Sequence, residues 1–268
     1  MSRILFLGTA GDSAVVTKQL RASGGFILQV EDLQFHINPG PGALNKAREF
    51  GVNLNHNTAI LITQNHINRC NDLNAVIDCM THAGIEHRGV ILGSKSALQK
   101  TEHSEPYITK RHAARVEKII ALEENHKVGI ELVEINALPA ENDEDETAIG
   151  LKFFCPKFTL SYTGDTKLTP ALLESLNGSD VLILDVPYPG NKAQGSHLDR
   201  DSAIKIISHV RPKLAILTGF GLEMLKADPL QETREVQRIT GVQTLAAKDG
   251  LLISPSYGQY QNPIKGYE

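Results

Sequence analysis

A group of mixed polar side chains follows a short apolar run in the first third of the chain. The segment AILITQNHINRCNDLNAVID, residues 59–78, starts like a buried strand, becomes polar, and then takes helical spacing. His66 is a metal-ligating side chain, whereas Gln64 and Asn68 are weak neutral donors and Arg69 is a permanent cation. The segment therefore raises the question of whether it is a metal-dependent catalytic site or the remnant of one.

Composition narrows the classes of function. The 268 residues carry a net charge of -4 with a pI near 6.2, so the chain has no overall basic field and broad nucleic-acid binding is disfavoured. The three cysteines lack the paired spacing of zinc ribbons or redox motifs, which predicts reduced, structural thiols. Neither a signal peptide nor a membrane-length apolar run is present, so we expect a cytoplasmic protein without a membrane partner.

The spacing of apolar residues predicts the elements that position the polar group. Continuous apolar runs predict buried strands, with helices after several of them, in the segments 3–9, 58–63, 88–94, 180–187 and 213–220. Asp199 is predicted to cap one helix and Gly241 to end another. Residues 127–138 are predicted as one strand, and VQTLAAKDGLLISP near the C-terminus is predicted as a hairpin.

This order of elements predicts an α/β protein. Apolar strands that are covered on both sides suit two packed sheets with helices on their outer faces, here in a single domain of residues 1–268. A doubly wound Rossmann sheet is disfavoured because the turn GTAGDS after the first strand lacks the GxGxxG pattern. We interpret that turn as a steric requirement for small residues rather than as a phosphate-binding loop.

Seven short motifs, taken in order, carry a resemblance. They are FLGTAGDS, FHINPGPG, the polar group at 63–69, ALPAEND, YTGDT, SHLDRDSA and LTGFG. The chain thereby resembles the metallo-β-lactamase superfamily, in particular its RNase Z-like and phosphodiesterase branches, over nearly its whole length. The resemblance implies a four-layer αβ/βα sandwich and, in active members, two metal ions that activate a bridging water for hydrolysis.

The chain departs from the ligand pattern that the resemblance implies. Active members have HxHxDH after the strand, a downstream His, an Asp in the GDT element and a final His. Here the seven ligand positions hold Gln64, His66, Asn68, Arg69, Asn142, Asp165 and Gly219. Only His66 and Asp165 keep a ligating residue, and Asn38 replaces an acid usual in the HINPGPG motif.

Two ligands amount to about half of one metal site, because a catalytic zinc needs about three protein ligands and a structural one about four. We therefore predict no dinuclear centre and no resident cofactor, with one weakly held Zn or Mn on His66 and Asp165 as the upper limit. A buried carboxylate needs a compensating cation, so we predict that Arg69 pairs with Asp165. A simple hydrogen-bonding role for His66 and an ion-pair or turn role for Asp165 are the alternatives.

Two classes of function follow, so enzymatic activity is left open. The first is a catalytically silent member that acts as a binding or assembly subunit, with a second copy, an active paralogue, RNA or a small anionic ligand as partner. The second is a hydrolase of phosphodiester or related ester bonds with one metal or none. Its candidate catalytic residues are His197 as proton donor, Arg69 for anionic charge, and Asp165. For His197, an exposed position before a helix N-cap is the alternative.

Overall fold

Apolar runs form the strands, and amphipathic segments between them form the helices. The computed structural model describes residues 2–190, 192, 195, 197–255 and 259–261. Its strands are β1 Arg3–Gly8, β2 Ser23–Val30, β3 Leu33–Ile37, β4 Ala59–Ile62, β5 Val90–Ser94, β6 Lys118–Leu122, β7 Lys127–Ile130, β8 Val133–Pro139, β9 Ile149–Cys155, β10 Phe158–Tyr162, β11 Val181–Asp185, β12 Leu214–Thr218, β13 Thr244–Ala246, β14 Leu252–Ser254 and β15 Gln259–Gln261.

The helices are short except for two near the C-terminal end. They are α1 Ser13–Thr17, α2 Ala43–Glu49, α3 Ile67–Cys70, α4 Leu73–Met80, α5 Lys95–Leu98, α6 Lys110–Ala113, α7 Pro170–Ser175, α8 Arg200–Val210, α9 Leu222–Ala227 and α10 Pro229–Thr240. Two 3-10 turns lie at Leu54–His56 and His82–Gly84. No helix of the described part of the chain is long and apolar enough to cross a bilayer.

The first of two compact units contains the described residues within 1–9, 21–122 and 248–268. Its sheet has the order β15-β14-β1-β2-β3-β4-β5-β6, antiparallel from β15 to β3 and parallel from β3 to β6. One face of the sheet packs on α2 and α4 through fully buried aliphatic side chains such as Ile60, Ile62 and Val76. The polar segment 63–69 begins where β4 leaves this sheet.

The second unit contains residues 10–20 and the described residues within 123–247. Its sheet has the order β13-β12-β11-β10-β9-β8-β7, parallel from β13 to β10 and antiparallel from β10 to β7. The helices α8 and α10 pack on it around Leu184, Ile206 and Val236, which are fully buried. Each unit is thus a mixed sheet with helices, and the predicted α/β class is confirmed.

Two local predictions are wrong. Residues 127–138 form two strands, because Glu131 takes a left-handed φ of 49° and turns the chain between β7 and β8. The C-terminal hairpin does not form, since β13 pairs in parallel with β12 of the second unit while β14 pairs with β1 of the first. The two strands on either side of the KDG segment have three residues each, so their pairing is decided by the neighbouring strands of the two sheets.

Candidate functional site

The segment 63–69, which we call the amide loop, is held by the neighbouring HINPGPG motif. Because β3 and β4 are parallel neighbours, both motifs leave the sheet at the same edge. Asn38, in a left-handed conformation with φ 55°, accepts a hydrogen bond from the Thr63 amide at 2.9 Å. Its Nδ2 donates to Thr63 Oγ1, also at 2.9 Å. Asn38 therefore fixes the start of the amide loop by neutral hydrogen bonds.

His66 caps the short helix α3. Its Nδ1 accepts a hydrogen bond from the backbone amide of Asn68 at 3.3 Å, so the neutral ring carries its proton on Nε2. The Cys70 thiol also contacts the His66 carbonyl oxygen at 3.0 Å. One ring nitrogen of His66 is thus engaged with the protein backbone.

The other three ligand positions of the amide loop are buried. The exposed fractions are 2% for Gln64, 3% for Asn68 and 7% for Arg69. Gln64 Oε1 and Asn68 Nδ2 are buried atoms that make no hydrogen bond with the described protein. Such atoms are uncommon in folded proteins and cost about 1–3 kcal/mol each, so they call for an explanation.

In the second unit, Asp165 pairs with His197. Asp165 Oδ1 lies 2.6 Å from His197 Nδ1, with Asp165 in the loop after β10 and His197 in the segment before α8. Asp199 caps α8 by accepting from the Ser202 amide at 2.8 Å, as predicted, and this cap fixes the segment that carries His197. Ser196, the first residue of the SHLDRDSA motif, lies outside the described residues. Two candidate catalytic residues are thus brought together.

Asn142 is fully engaged in a turn. Its Oδ1 accepts hydrogen bonds from the amides of Glu144 at 2.9 Å and Asp145 at 3.2 Å. Its Nδ2 donates to the carbonyl oxygen of Asp165 at 3.2 Å. Where the resemblance implies a histidine ligand, the structure has an amide that joins its own turn to the loop of Asp165 by hydrogen bonds.

The final ligand position has no room for a side chain. A Cβ placed on Gly219, whose φ is 64°, would lie 2.5 Å from Asp185 Oδ1. Asp185 is buried with 1% exposure at the end of β11 and accepts a hydrogen bond from the Tyr162 hydroxyl at 2.7 Å. A carboxylate therefore lies next to Gly219, where a ligand side chain would begin.

Sequence reasoning missed Asp12, which fixes this corner of the second unit. Asp12 Oδ1 accepts from the Val15 amide at 2.7 Å and caps α1, while Oδ2 accepts from the Leu222 amide at 2.8 Å, at the start of α9. Gly11, one residue earlier, packs against the Gly219 carbonyl so closely that a Cβ would overlap it. The Asp-Ser pair before an apolar run was an available N-cap signal.

Tyr188 lies beside His197 and close to several carboxylates of the second unit. Its ring centroid lies 5.8 Å from that of His197. Burial raises the pKa of the Tyr188 hydroxyl above its usual value, and the carboxylates of Asp12, Asp165, Glu144 and Glu223 raise the pKa further. The Tyr188 phenol therefore keeps its proton at neutral pH beside the His197 imidazole.

The donor set does not fit the dinuclear centre that the resemblance implies. In the first unit, His66 is the sole ligand-type side chain of the amide loop, and its Nδ1 is bonded to the backbone. In the second, Asp165 is bonded to His197, and a side chain at 219 would overlap Asp185. Among the residues that the structure describes, no three His, Cys, Asp or Glu side chains form a group able to hold a metal ion. The predicted lack of a cofactor, and the Arg69–Asp165 pair, stay predictions.

Comparison with known proteins identifies the family. The family model of the beta-lactamase superfamily domain matches residues 34–220, and the chain belongs to this family. An uncharacterized protein of Methanocaldococcus jannaschii, MJ1374, is 27% identical over 260 residues, which cover 96% of this chain and 97% of that protein. The recognition made from the seven motifs is thus confirmed.

Solved structures confirm the fold. The metallo-β-lactamase fold protein YhfI from Bacillus subtilis matches with a TM-score of 0.77 at 16% identity, covering 94% of this chain and 98% of that chain. A diphosphatase of the PhnP family matches with a TM-score of 0.69 at 19% identity, covering 95% and 98%. Zn(2+)-bound PqqB from Methylobacterium extorquens matches with a TM-score of 0.67 at 14% identity, covering 94% and 99%. The metallo-β-lactamase type of αβ/βα sandwich, shared with hydrolases and a metal-bound protein, is therefore the fold of this chain.

Proposed function

We propose that this chain is a non-catalytic binding member of its family, which recognises a small anionic ligand through the amide loop. The observation that carries the proposal is the pair of buried amide atoms without hydrogen-bond partners, Gln64 Oε1 and Asn68 Nδ2. Buried polar atoms without partners in a folded protein call for an explanation, and a ligand bound in the amide loop would supply the missing hydrogen bonds. Arg69, also buried, supplies a positive charge in the same loop.

The chemistry of the loop defines the ligand class. One side-chain amide offers an acceptor, the other a donor, and their orientations can exchange by amide flips. Together with a guanidinium they suit an oxyanion that also carries a protonated oxygen, such as a phosphate monoester or inorganic phosphate. Binding by two amides and a guanidinium needs no metal ion and provides no activated water.

The decisive experiment compares two buried glutamines of the first unit. Gln64→Met keeps the shape but removes an amide that lacks a partner, so we expect the free protein to be as stable as the wild type or more stable. Gln34→Met is the matched control, because Gln34 Nε2 donates to Asn57 Oδ1 at 2.7 Å and to the Asn53 carbonyl oxygen at 3.0 Å. That control should lose about 1–3 kcal/mol of unfolding free energy.

Inorganic phosphate serves as the probe for binding. It should raise the melting temperature of the wild type and of Gln34→Met in a saturable manner, and not that of Gln64→Met. The proposal is wrong if Gln64→Met is as destabilising as Gln34→Met. It is also wrong if protein purified without chelator holds stoichiometric metal and turns over bis(p-nitrophenyl) phosphate in a manner abolished by His66→Ala.

A second candidate function rests on the Asp165–His197 pair. A carboxylate bonded to Nδ1 at 2.6 Å orients an imidazole as a general acid or base, which would allow ester hydrolysis without a dinuclear centre. Hydrolysis of bis(p-nitrophenyl) phosphate that persists in EDTA and disappears in His197→Gln would establish it. We place binding first because the two buried amide atoms without partners have no role in hydrolysis at this pair.

Assembly is part of the proposal for a silent member. A second copy of this chain, an active paralogue or RNA are the partners we propose, in keeping with the inactive subunits of RNA-processing branches. Light scattering of the purified protein, alone and with a short single-stranded RNA, distinguishes a homodimer from an RNA-binding monomer.

A further inference from the structure

A cavity of about 270 Å³ opens in the first unit on the face of the sheet that packs on α2. It lies directly after α2, where the chain continues from the C-cap residue Phe50 through Gly51 and Val52. Its lining shares no residue with the amide loop. It is therefore a separate site, and nothing proposed above uses it.

The floor of the cavity is apolar and the wall is polar. Leu5, Ile27 and Leu252 come from adjacent strands, with Leu5 opposite both of the others in the register of the sheet. The ring of Phe50 closes one side. A floor of this kind binds an aliphatic or aromatic body by burying its surface, at roughly 25 cal/mol per Å².

The polar wall is ordered before any ligand arrives. Gln29 Nε2 donates to Gln34 Oε1 at 2.8 Å, and Gln34 in turn donates to Asn57 Oδ1 at 2.7 Å. Gln34 is only 3% exposed, so this chain of amides is fixed by the fold. Fixed side chains lower the entropy lost on binding, which favours affinity for a small ligand.

Charge identifies the polar end of the ligand. Arg3 lines the cavity at the start of β1, and no hydrogen bond or ion pair joins its guanidinium to another residue of the described chain. None of the described lining residues is acidic. One guanidinium beside neutral amides matches one carboxylate, which it can bind through two parallel hydrogen bonds.

We infer that this cavity binds a small organic monocarboxylate with an aromatic or branched apolar body. The carboxylate contacts Arg3, and the body lies on the aliphatic floor beside Phe50. A cavity of about 150 Å³ accommodates a benzene ring, so the larger volume here has room for a ring and its carboxylate arm.

Phenylacetate is the probe that tests this inference. Titration of the full chain should raise the melting temperature in a saturable manner and shift the side-chain amide resonances of Gln29 and Gln34. Benzyl alcohol, which has the ring without the charge, should bind at least about tenfold more weakly. Arg3→Met should weaken phenylacetate binding to a similar degree, whereas the exposed Arg111→Met is the matched control and should leave binding unchanged.

A second variant keeps the test independent of the charge change. Val52→Phe fills the cavity while keeping the Arg3 guanidinium in the sequence, and it should abolish the shifts of the amide resonances. Equal affinity in wild type and Arg3→Met, or shifts that survive Val52→Phe, overturn the inference, as does the lack of saturable binding. Gln64→Met should bind phenylacetate normally, so this site and the amide loop are tested separately.

Discussion

At the scale of single residues, Gly219 shows why the family's ligand pattern is not a set of independent positions. The resemblance places a histidine there, yet the backbone has a left-handed φ of 64° and the space for a Cβ adjoins the Asp185 carboxylate. Gly219 has no side chain to bind a metal, and the neighbouring Asp185 occupies the space that a side chain at 219 would need. Whether position 219 can carry a metal ligand therefore depends on the side chain at position 185.

Gly219→Ala should be strongly destabilising. We expect a left-handed alanine to cost about 1–2 kcal/mol and the overlap with Asp185 to cost about 1–3 kcal/mol more. Urea unfolding of wild type and variant measures the total loss. Gly241→Ala is the matched control, with φ 69° and open space around its Cβ, and should cost only the first amount. Equal losses in the two variants would show that Asp185 moves aside freely.

A fully buried histidine gives the chain a dependence on pH. His36 lies in β3 with Nε2 bonded to the Gly24 carbonyl oxygen at 2.9 Å. Burial lowers the pKa of His36 from 6.5 to about 4. Between these two pH values the unfolded chain therefore binds a proton at His36 that the folded chain does not bind. Stability should therefore fall as the pH falls from 6.5 to 4, by about 3 kcal/mol from this residue.

The contribution of His36 is measured as a difference between two proteins. Urea unfolding of wild type and His36→Gln at pH 7 and pH 4.5 cancels the titration of other groups that the two proteins share. The wild type should lose more stability than the variant over this range. Parallel losses would mean that a proton is accepted at His36 without cost to the fold.

At the scale of elements, Asp12 joins two helices of the second unit through one carboxylate. Asp12→Asn keeps one acceptor oxygen but turns an NH₂ group toward one of the two amides that the carboxylate served. We expect a loss of about 1–3 kcal/mol. Asp199→Asn is the control, because Asp199 caps α8 through one oxygen and asparagine caps a helix equally well. Thermal unfolding of both variants checks the difference.

The elements also show what local sequence could predict. The caps at Asp199 and Gly241 were predicted because each uses the side chain or backbone freedom of its own residue. The double role of Asp12 was not, since its second partner, Leu222, lies more than 200 positions away. The turn at Glu131 was missed because a non-glycine residue takes a positive φ there without a sequence signal.

At the scale of the whole molecule, the order of seven motifs was sufficient to predict the family, which the match over residues 34–220 confirms. Local sequence patterns did not predict which segments belong to which of the two compact units. Residues 10–20 belong to the second unit although β1 precedes them in the first, and the chain returns to the first unit at residue 248. Such crossings are set by long-range strand pairing, which is why the C-terminal hairpin was predicted wrongly from the local sequence pattern.

We expect chelators to leave the melting temperature of the intact protein nearly unchanged. A metal bound at 100 times its dissociation constant stabilises a fold by about 2.7 kcal/mol, which is several degrees in melting temperature for a chain of this size. Because hydrogen bonds of Asn142 and the Asp165–His197 pair hold the loops of the second unit, we expect EDTA to change the melting temperature by less than about 1 °C. A larger fall would reveal a structural metal.

The proximity of Gly219 and Asp185 links position 219 to Tyr162. A histidine at 219 would require the removal of the carboxylate at 185, and the buried Tyr162 hydroxyl would then lose its hydrogen-bond acceptor. We expect each of these two changes, made alone, to lower the stability of the fold. A ligand side chain at 219 therefore requires coordinated changes at 219 and 185.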